Sequence, residues 1–131
     1  MHNAPAVDKT AEDLKIRTKK FAIAILDFVD TLPRTPSGDA VARQLARSGL
    51  GTAGNYRGAC SARSHTEFTA RLGVVDEEAD ESELWLDVSD ARRMGDVKLR
   101  QPLHAESGEL RAIFSKACST ARIREHRQKH R

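Results

Sequence analysis

Leu14, Thr18, Phe21, Ile25, Phe28 and Leu32 recur at alternating intervals of four and three residues, as do Phe68, Leu72, Val75, Ala79, Ser82 and Leu86. That spacing puts every member of a set on one face of an α-helix but scatters it over both faces of a strand. Each set therefore predicts one long helix burying a single stripe. Ala22, Leu26 and Val29 widen the first stripe, which only Thr18 interrupts.

The helix punctuation fits this reading. The first segment runs from about Thr10 to Leu32, with Thr10 as a plausible cap and Asp13 in the first turn. Pro33 and Pro36 then end it, because each lacks an N–H and restrains the residue before it. A second segment runs from about Asp39 to Ala62, capped by Ser37 or Asp39, with Val41, Leu45 and Ser48 on one face. The third runs from about Ser64 to Arg93, with Ser64 or Thr66 as cap. The stretch GDVKLRQPLHAESG shows no clear period and contains Pro102, so it reads as a long loop. A fourth helix from about Ala105 or Ser107 turns Leu110, Ile113, Phe114, Ala117 and Ala121 inward. Four amphipathic helices in 131 residues pack most economically as one all-α domain, an antiparallel up-down four-helix bundle. Residues 1–9 are expected to be a flexible N-terminus and 122–131 a basic C-terminal tail.

The second segment contains Gly49-Leu-Gly-Thr-Ala-Gly54, which matches the G-x-G-x-x-G pattern of a dinucleotide-binding turn. That turn requires a buried strand before it and a helix N-terminus after it. Here the residues leading in are AVARQLARS, strong helix formers, and no ribose-binding carboxylate follows at the right distance. The glycines belong to a helix. Each costs about 1 kcal/mol relative to alanine there, so close packing at Gly51, Gly54 and Gly58 is expected to offset the loss. A kink or a break in the helix near Gly49–Gly54 is the alternative.

Charge is unevenly distributed. The net charge is only +3, yet Asp76 to Asp90 carries eight acidic residues and no basic one, while Arg111 to Arg131 carries seven Lys or Arg against Glu125 alone. Lys15, Arg17, Lys19 and Lys20 on the first helix, with Arg122, Arg124, Arg127 and Lys129 on the last, are candidates to track phosphates. Aromatics are only 5%, so such binding would follow the backbone rather than read bases. Within the acidic run, Glu78 and Glu81 need partners where they are buried, and Arg43, Arg47 and Arg57 on the second helix can supply them.

Candidate chemistry is sparse. His126 and His130 lie four apart without a further ligand, and Cys60 with His65 lacks a third orienting residue, so neither metal, cofactor nor catalytic residues are expected. The two cysteines show no framework spacing and read as reduced thiols. The N-terminus has no signal-peptide pattern, and no run approaches 18 apolar residues, which points to a cytoplasmic protein.

The motifs Arg43-Gln-Leu-Ala-Arg-Ser-Gly49, Asn55-Tyr-Arg-Gly-Ala59 and Glu78-Ala-Asp-Glu-Ser-Glu-Leu-Trp-Leu86, with Arg17-Thr-Lys-Lys-Phe-Ala22 before them, resemble a known family over roughly Asp13 to Ala121. The chain is similar to the bacterial four-helix bundle proteins first noticed as products of intervening sequences within large-subunit ribosomal RNA genes. The resemblance implies an up-down bundle that assembles as a ring-shaped homopentamer. It also implies kinship with the accessory variability determinant of diversity-generating retroelements, a basic pentamer that associates with a reverse transcriptase and with nucleic acid. It marks Asn55 and Tyr56 as members, with Arg43, Arg47, Arg57, Glu78 and Glu81, of an inter-helix or inter-subunit polar network. Similar proteins usually carry Ser at position 51 and Glu at position 58, so Gly51 and Gly58 depart from the pattern.

The expected function is a non-enzymatic oligomer that binds structured RNA or other nucleic acid through its basic surfaces. A protein-interaction adaptor, for example an accessory subunit of a reverse transcriptase, is the alternative.

Overall fold

The computed structural model describes residues 9–130. Positions 1–8 of the expected N-terminal segment, and Arg131, lie outside the described residues. Four helices follow in order: α1 Lys9–Val29, α2 Pro36–Cys60, α3 His65–Ala91 and α4 Val97–Lys129, with no strand among the described residues. The α1 and α3 helices each lie against both α2 and α4. Ser48 meets Ser82 and Gly58 meets Arg71, so residue numbers fall along α3 as they rise along α2. Glu83 with Arg111 and Asp87 with His104 show the same relation between α3 and α4.

Lys9, expected in the flexible N-terminus, is already helical, so Thr10 lies inside α1 instead of capping it; the starts of α2 and α4 differ further from the sequence expectation. The α2 helix begins at Pro36, not Asp39, and its cap is Thr35, whose Oγ1 accepts a hydrogen bond from the Gly38 N–H at 3.1 Å. Proline suits the first helical position because its missing N–H would have had no partner there. Pro36 therefore opens a helix instead of prolonging a loop. Gly38 is buried beside the Pro33 carbonyl, where a Cβ would come within 1.9 Å of the oxygen, so this corner takes no side chain.

The α4 helix begins at Val97, eight residues before the earliest expected start, capped by the Asp96 carboxylate on the Lys98 N–H at 2.8 Å. Pro102 lies inside it, exposed, in the second turn, where it removes only the bond to the solvent-facing Lys98 carbonyl. The inward set here is Arg100, Leu103, Ser107, Leu110 and Phe114. Its first member is an arginine, so apolar periodicity missed it. Arg100 is 5% exposed; its Nε donates to Asp90 at 3.0 Å and its Nη1 to the Met94 carbonyl at 2.6 Å, tying α4 to the end of α3. The intervening Gly95 has φ +72 and would press a Cβ to 2.8 Å from the Phe28 ring.

The two opening stripes are buried largely as expected. Phe21, Ile25, Phe28 and Leu32 face Leu72, Val75, Ala79 and Leu86 across a core completed by Leu45, Tyr56, Leu110 and Phe114. Leu26 is an exception: it is 39% exposed, because it lies a quarter-turn off the stripe. The buried hydroxyls remain satisfied within their own helices: Thr18 bonds the Leu14 carbonyl at 2.8 Å, Thr52 the Ser48 carbonyl at 2.8 Å and Ser89 the Trp85 carbonyl at 2.8 Å. Ser82 Oγ lies 2.9 Å from both the Glu78 carbonyl and Ser48 Oγ. Ser82 donates to Ser48, which in turn donates to the Leu45 carbonyl at 3.4 Å, so a chain of hydroxyls crosses the α2–α3 contact.

Candidate functional site

The α2 helix runs through GLGTAG without a break, so the segment presents no helix N-terminus to a phosphate. Its glycines differ in what surrounds them. At Gly51 a Cβ would lie 2.5 Å from Glu78 Oε2, and at Gly58 one would lie 2.7 Å from Arg71 Nη1. These two glycines accommodate polar side chains of α3. Gly54 has nothing within 4 Å of its Cβ position, so the close packing expected there does not occur within the bundle. The tightest apolar approach is at Gly49, whose Cβ would meet Ile25 at 2.8 Å.

The basic candidates divide into tied and free groups. Lys15 pairs with Glu12 at 3.0 Å. Arg17 grips Glu106 with Nε and Nη2 at 2.7 and 2.6 Å, and lies 3.6 Å from Glu109. The hydrogen bonds to Glu106 hold the guanidinium pKa above its ordinary value. Arg17 thus straps α1 to α4. Lys19 and Lys20 are exposed without a carboxylate partner among the described residues, and Lys20 shares a surface cleft with Lys98.

On α4 the last buried residue is Ala121, yet the helix continues to Lys129. Along this extension Arg122, Arg124 and Arg127 are exposed and carry no ion pair among the described residues, whereas Lys129 lies 3.5 Å from Glu125. Glu106, opposite Arg17, precedes Arg122 by sixteen residues, roughly 24 Å at the helical rise. Arg17 and Arg122 therefore lie well apart along the bundle.

The acidic run finds most of its partners on α4, contrary to the expected pairing with α2. Glu83 accepts from Arg111 Nε at 2.7 Å, Asp87 meets His104, and Asp90 holds Arg100. Among the described residues the only ion pair from α2 is Arg47 with Glu81, at 3.7 Å. Arg43 and Arg57 are exposed without a carboxylate partner among the described residues. Asn55 turns back to its own helix, its Nδ2 donating to the Gly51 carbonyl at 2.8 Å. Tyr56 is buried, its ring 5.2 Å from that of Phe114.

The α2–α3 groove is consequently short of partners. Glu78 Oε2, Glu81 Oε2 and Trp85 Nε1 are buried without a hydrogen bond. The three residues follow one another at intervals of three and four, on the side of α3 that meets Gly51 and Arg47. Burial, followed by the charge of Glu81, raises the Glu78 pKa above the usual carboxylate value. Sequence reasoning missed Trp85 and Arg100 as polar participants. It also missed the α3–α4 ladder, whose signal is the four-and-three spacing of Glu83, Asp87 and Asp90. Burial raises the pKa of the Cys118 thiol, and both cysteines are free. No described helix is long and apolar enough to cross a membrane.

No family model matches the chain, and no curated protein matches it. Among solved structures it is similar to the crystal structure of a protein of unknown function from the S23 ribosomal protein family of Bacteroides thetaiotaomicron VPI-5482. The two share 22% identity and a TM-score of 0.73, over 83% of this chain and 97% of that one. At this identity the likeness shows the fold, a four-helix bundle.

Proposed function

We propose that the protein is a non-enzymatic, cytoplasmic up-down bundle that forms a ring-shaped homopentamer and binds structured RNA or other nucleic acid, chiefly through α4 beyond Ala121. The observation that carries the binding reading is the row Arg122, Arg124 and Arg127, unpaired on a helix that outruns its own core. Polyanion binding releases counterions in proportion to the cations engaged, and unpaired arginines engage phosphates without first breaking a protein ion pair. Lys19 and Lys20 support a weaker second contact, while Lys15 and Arg17 already have carboxylate partners. The test is a gel shift on a structured RNA across salt concentrations. Replacing Arg122, Arg124 and Arg127 with Gln should weaken binding and flatten the salt dependence, Lys19→Gln with Lys20→Gln should do so less, and no shift of the wild type at low salt would end the proposal.

Assembly is supported by the buried Glu78, Glu81 and Trp85 atoms of the α2–α3 groove that lack a hydrogen bond among the described residues, and by exposed Ile16, Ile23 and Leu26 on α1 and Leu50 on α2. Unlike patches of this kind suit a heterologous contact that closes a ring. The pentameric number comes from the family resemblance. Light scattering that returns a monomer at micromolar concentration would refute assembly. The same groove favours a second reading, a protein adaptor for a partner such as a reverse transcriptase, because an indole N–H and two carboxylates suit a protein surface better than a polyanion. A pull-down that separates bound RNA from bound protein distinguishes the two.

A further inference from the structure

We propose that the end of the bundle where α1 and α3 begin holds a binding site for a single-headed anionic amphiphile, of the class of a medium-chain alkyl carboxylate. A cleft of about 460 Å³ opens there between all four helices, within the range of small-molecule sites. Its walls are Leu14 of α1, Tyr56 of α2, Phe68 and Leu72 of α3, and Ile113 and Phe114 of α4. Tyr56 and Phe114, buried and tilted by 51°, lend the cleft rigid aromatic surface that rotamer changes cannot readily fill.

The polar lining has one sign. Lys116, Thr120 and Arg124 also line the cleft, four residues apart along one ridge of α4, all exposed. Neither Lys116 nor Arg124 has an ion pair among the described residues, and no lining residue is acidic although the chain carries 19 Asp and Glu. His65, also in the lining, is oriented by its Nε2 at 3.0 Å from the Ala121 carbonyl. An apolar interior beside two cations and a hydroxyl donor matches a hydrocarbon tail with an anionic head, and disfavours a cationic or neutral ligand of the same length. A phosphodiester backbone has no tail to place in this interior. The site therefore overlaps the proposed nucleic-acid surface at Arg124 and differs from it in its apolar interior.

Calorimetric titration of the full chain with dodecanoate, below its micellar concentration, tests the proposal. Saturable one-to-one binding is expected for dodecanoate, with none for dodecyltrimethylammonium and much weaker binding for hexanoate. Lys116→Gln combined with Arg124→Gln should weaken dodecanoate binding about tenfold, the scale of two partly screened ion pairs. Thr120→Trp should abolish it by filling the mouth, with the helical circular dichroism unchanged. If that variant does not fold, the exposed charge pair carries the test alone. The proposal is overturned by absent or non-stoichiometric binding, by equal binding of the cationic amphiphile, by binding that melts the helices, or by an unchanged affinity in the charge variant.

Discussion

One helix, α3, faces two neighbours with opposite results. Toward α4 its acids are answered: Glu83 by Arg111, Asp87 by His104 and Asp90 by Arg100. Toward α2 they are not: Glu81 has one long contact with Arg47, and Glu78 Oε2 and Trp85 Nε1 have no hydrogen-bond partner among the described residues. The difference is not one of composition, because α2 has three candidate arginines, of which Arg43 and Arg57 are exposed without a carboxylate partner among the described residues. A buried acceptor left without a donor costs more than a formed hydrogen bond returns, so the groove is the costlier of the two contacts. A protein keeps such a surface where something else completes it, as a second subunit would in the proposed assembly.

The largest effect is expected from breaking the answered side. Arg100→Ala removes a buried guanidinium and strands the Met94 carbonyl, and should destabilise by about 3 kcal/mol in urea unfolding. Next come the glycines of the groove helix. Gly54→Ala meets open space and gains helix propensity, so it should stabilise the protomer by up to about 1 kcal/mol. Gly49→Ala drives a methyl into buried Ile25 and should destabilise by about 1 kcal/mol after the same gain is counted. Double-mutant cycles should then separate the two sides directly: coupling of about 0.5–1 kcal/mol for Glu83 with Arg111, and close to zero for Arg47 with Glu81, which are longer and more exposed.

The smallest effect concerns protonation. Glu78 has a raised folded-state pKa, so the folded chain holds its proton to higher pH than the unfolded chain does, and stability falls as pH rises from the ordinary carboxylate value through the raised one. Glu78→Gln should therefore melt higher than wild type at neutral pH, with the advantage disappearing in acid below the ordinary value. Thermal melts across that interval check the sign.

Much of this was legible in the sequence. The spacing of Leu14 to Leu32 and of Phe68 to Leu86 gave α1 and α3, because a stripe that buries one face leaves its period in the residues. The start of α2 was obscured by Pro36, which reads as a stop although it fits a first turn equally well. The start of α4 was obscured by Arg100, a charged residue in a core position, which no scan for apolar residues registers. The site was less legible still. Basic residues could be found by counting, but only the register of α1 against α4 separates tied Arg17 from free Arg122. The partners of the acidic run likewise depend on how far α3 slides along each neighbour, and one chain's sequence does not encode that offset as a local pattern.

The contact between Ser48 and Ser82 bears on that offset. Thr18, Thr52 and Ser89 close on their own helices and are indifferent to where the neighbouring helix sits, while hydrophobic contacts are non-directional and specify the alignment less sharply than a hydrogen bond does. A one-turn slip between α2 and α3 would set the Ser48 hydroxyl against Ala79 or Leu86 in place of Ser82. The two hydroxyls thus act as a locating pin: they add little to the strength of the joint, and they define which of several nearly equivalent alignments the helices adopt.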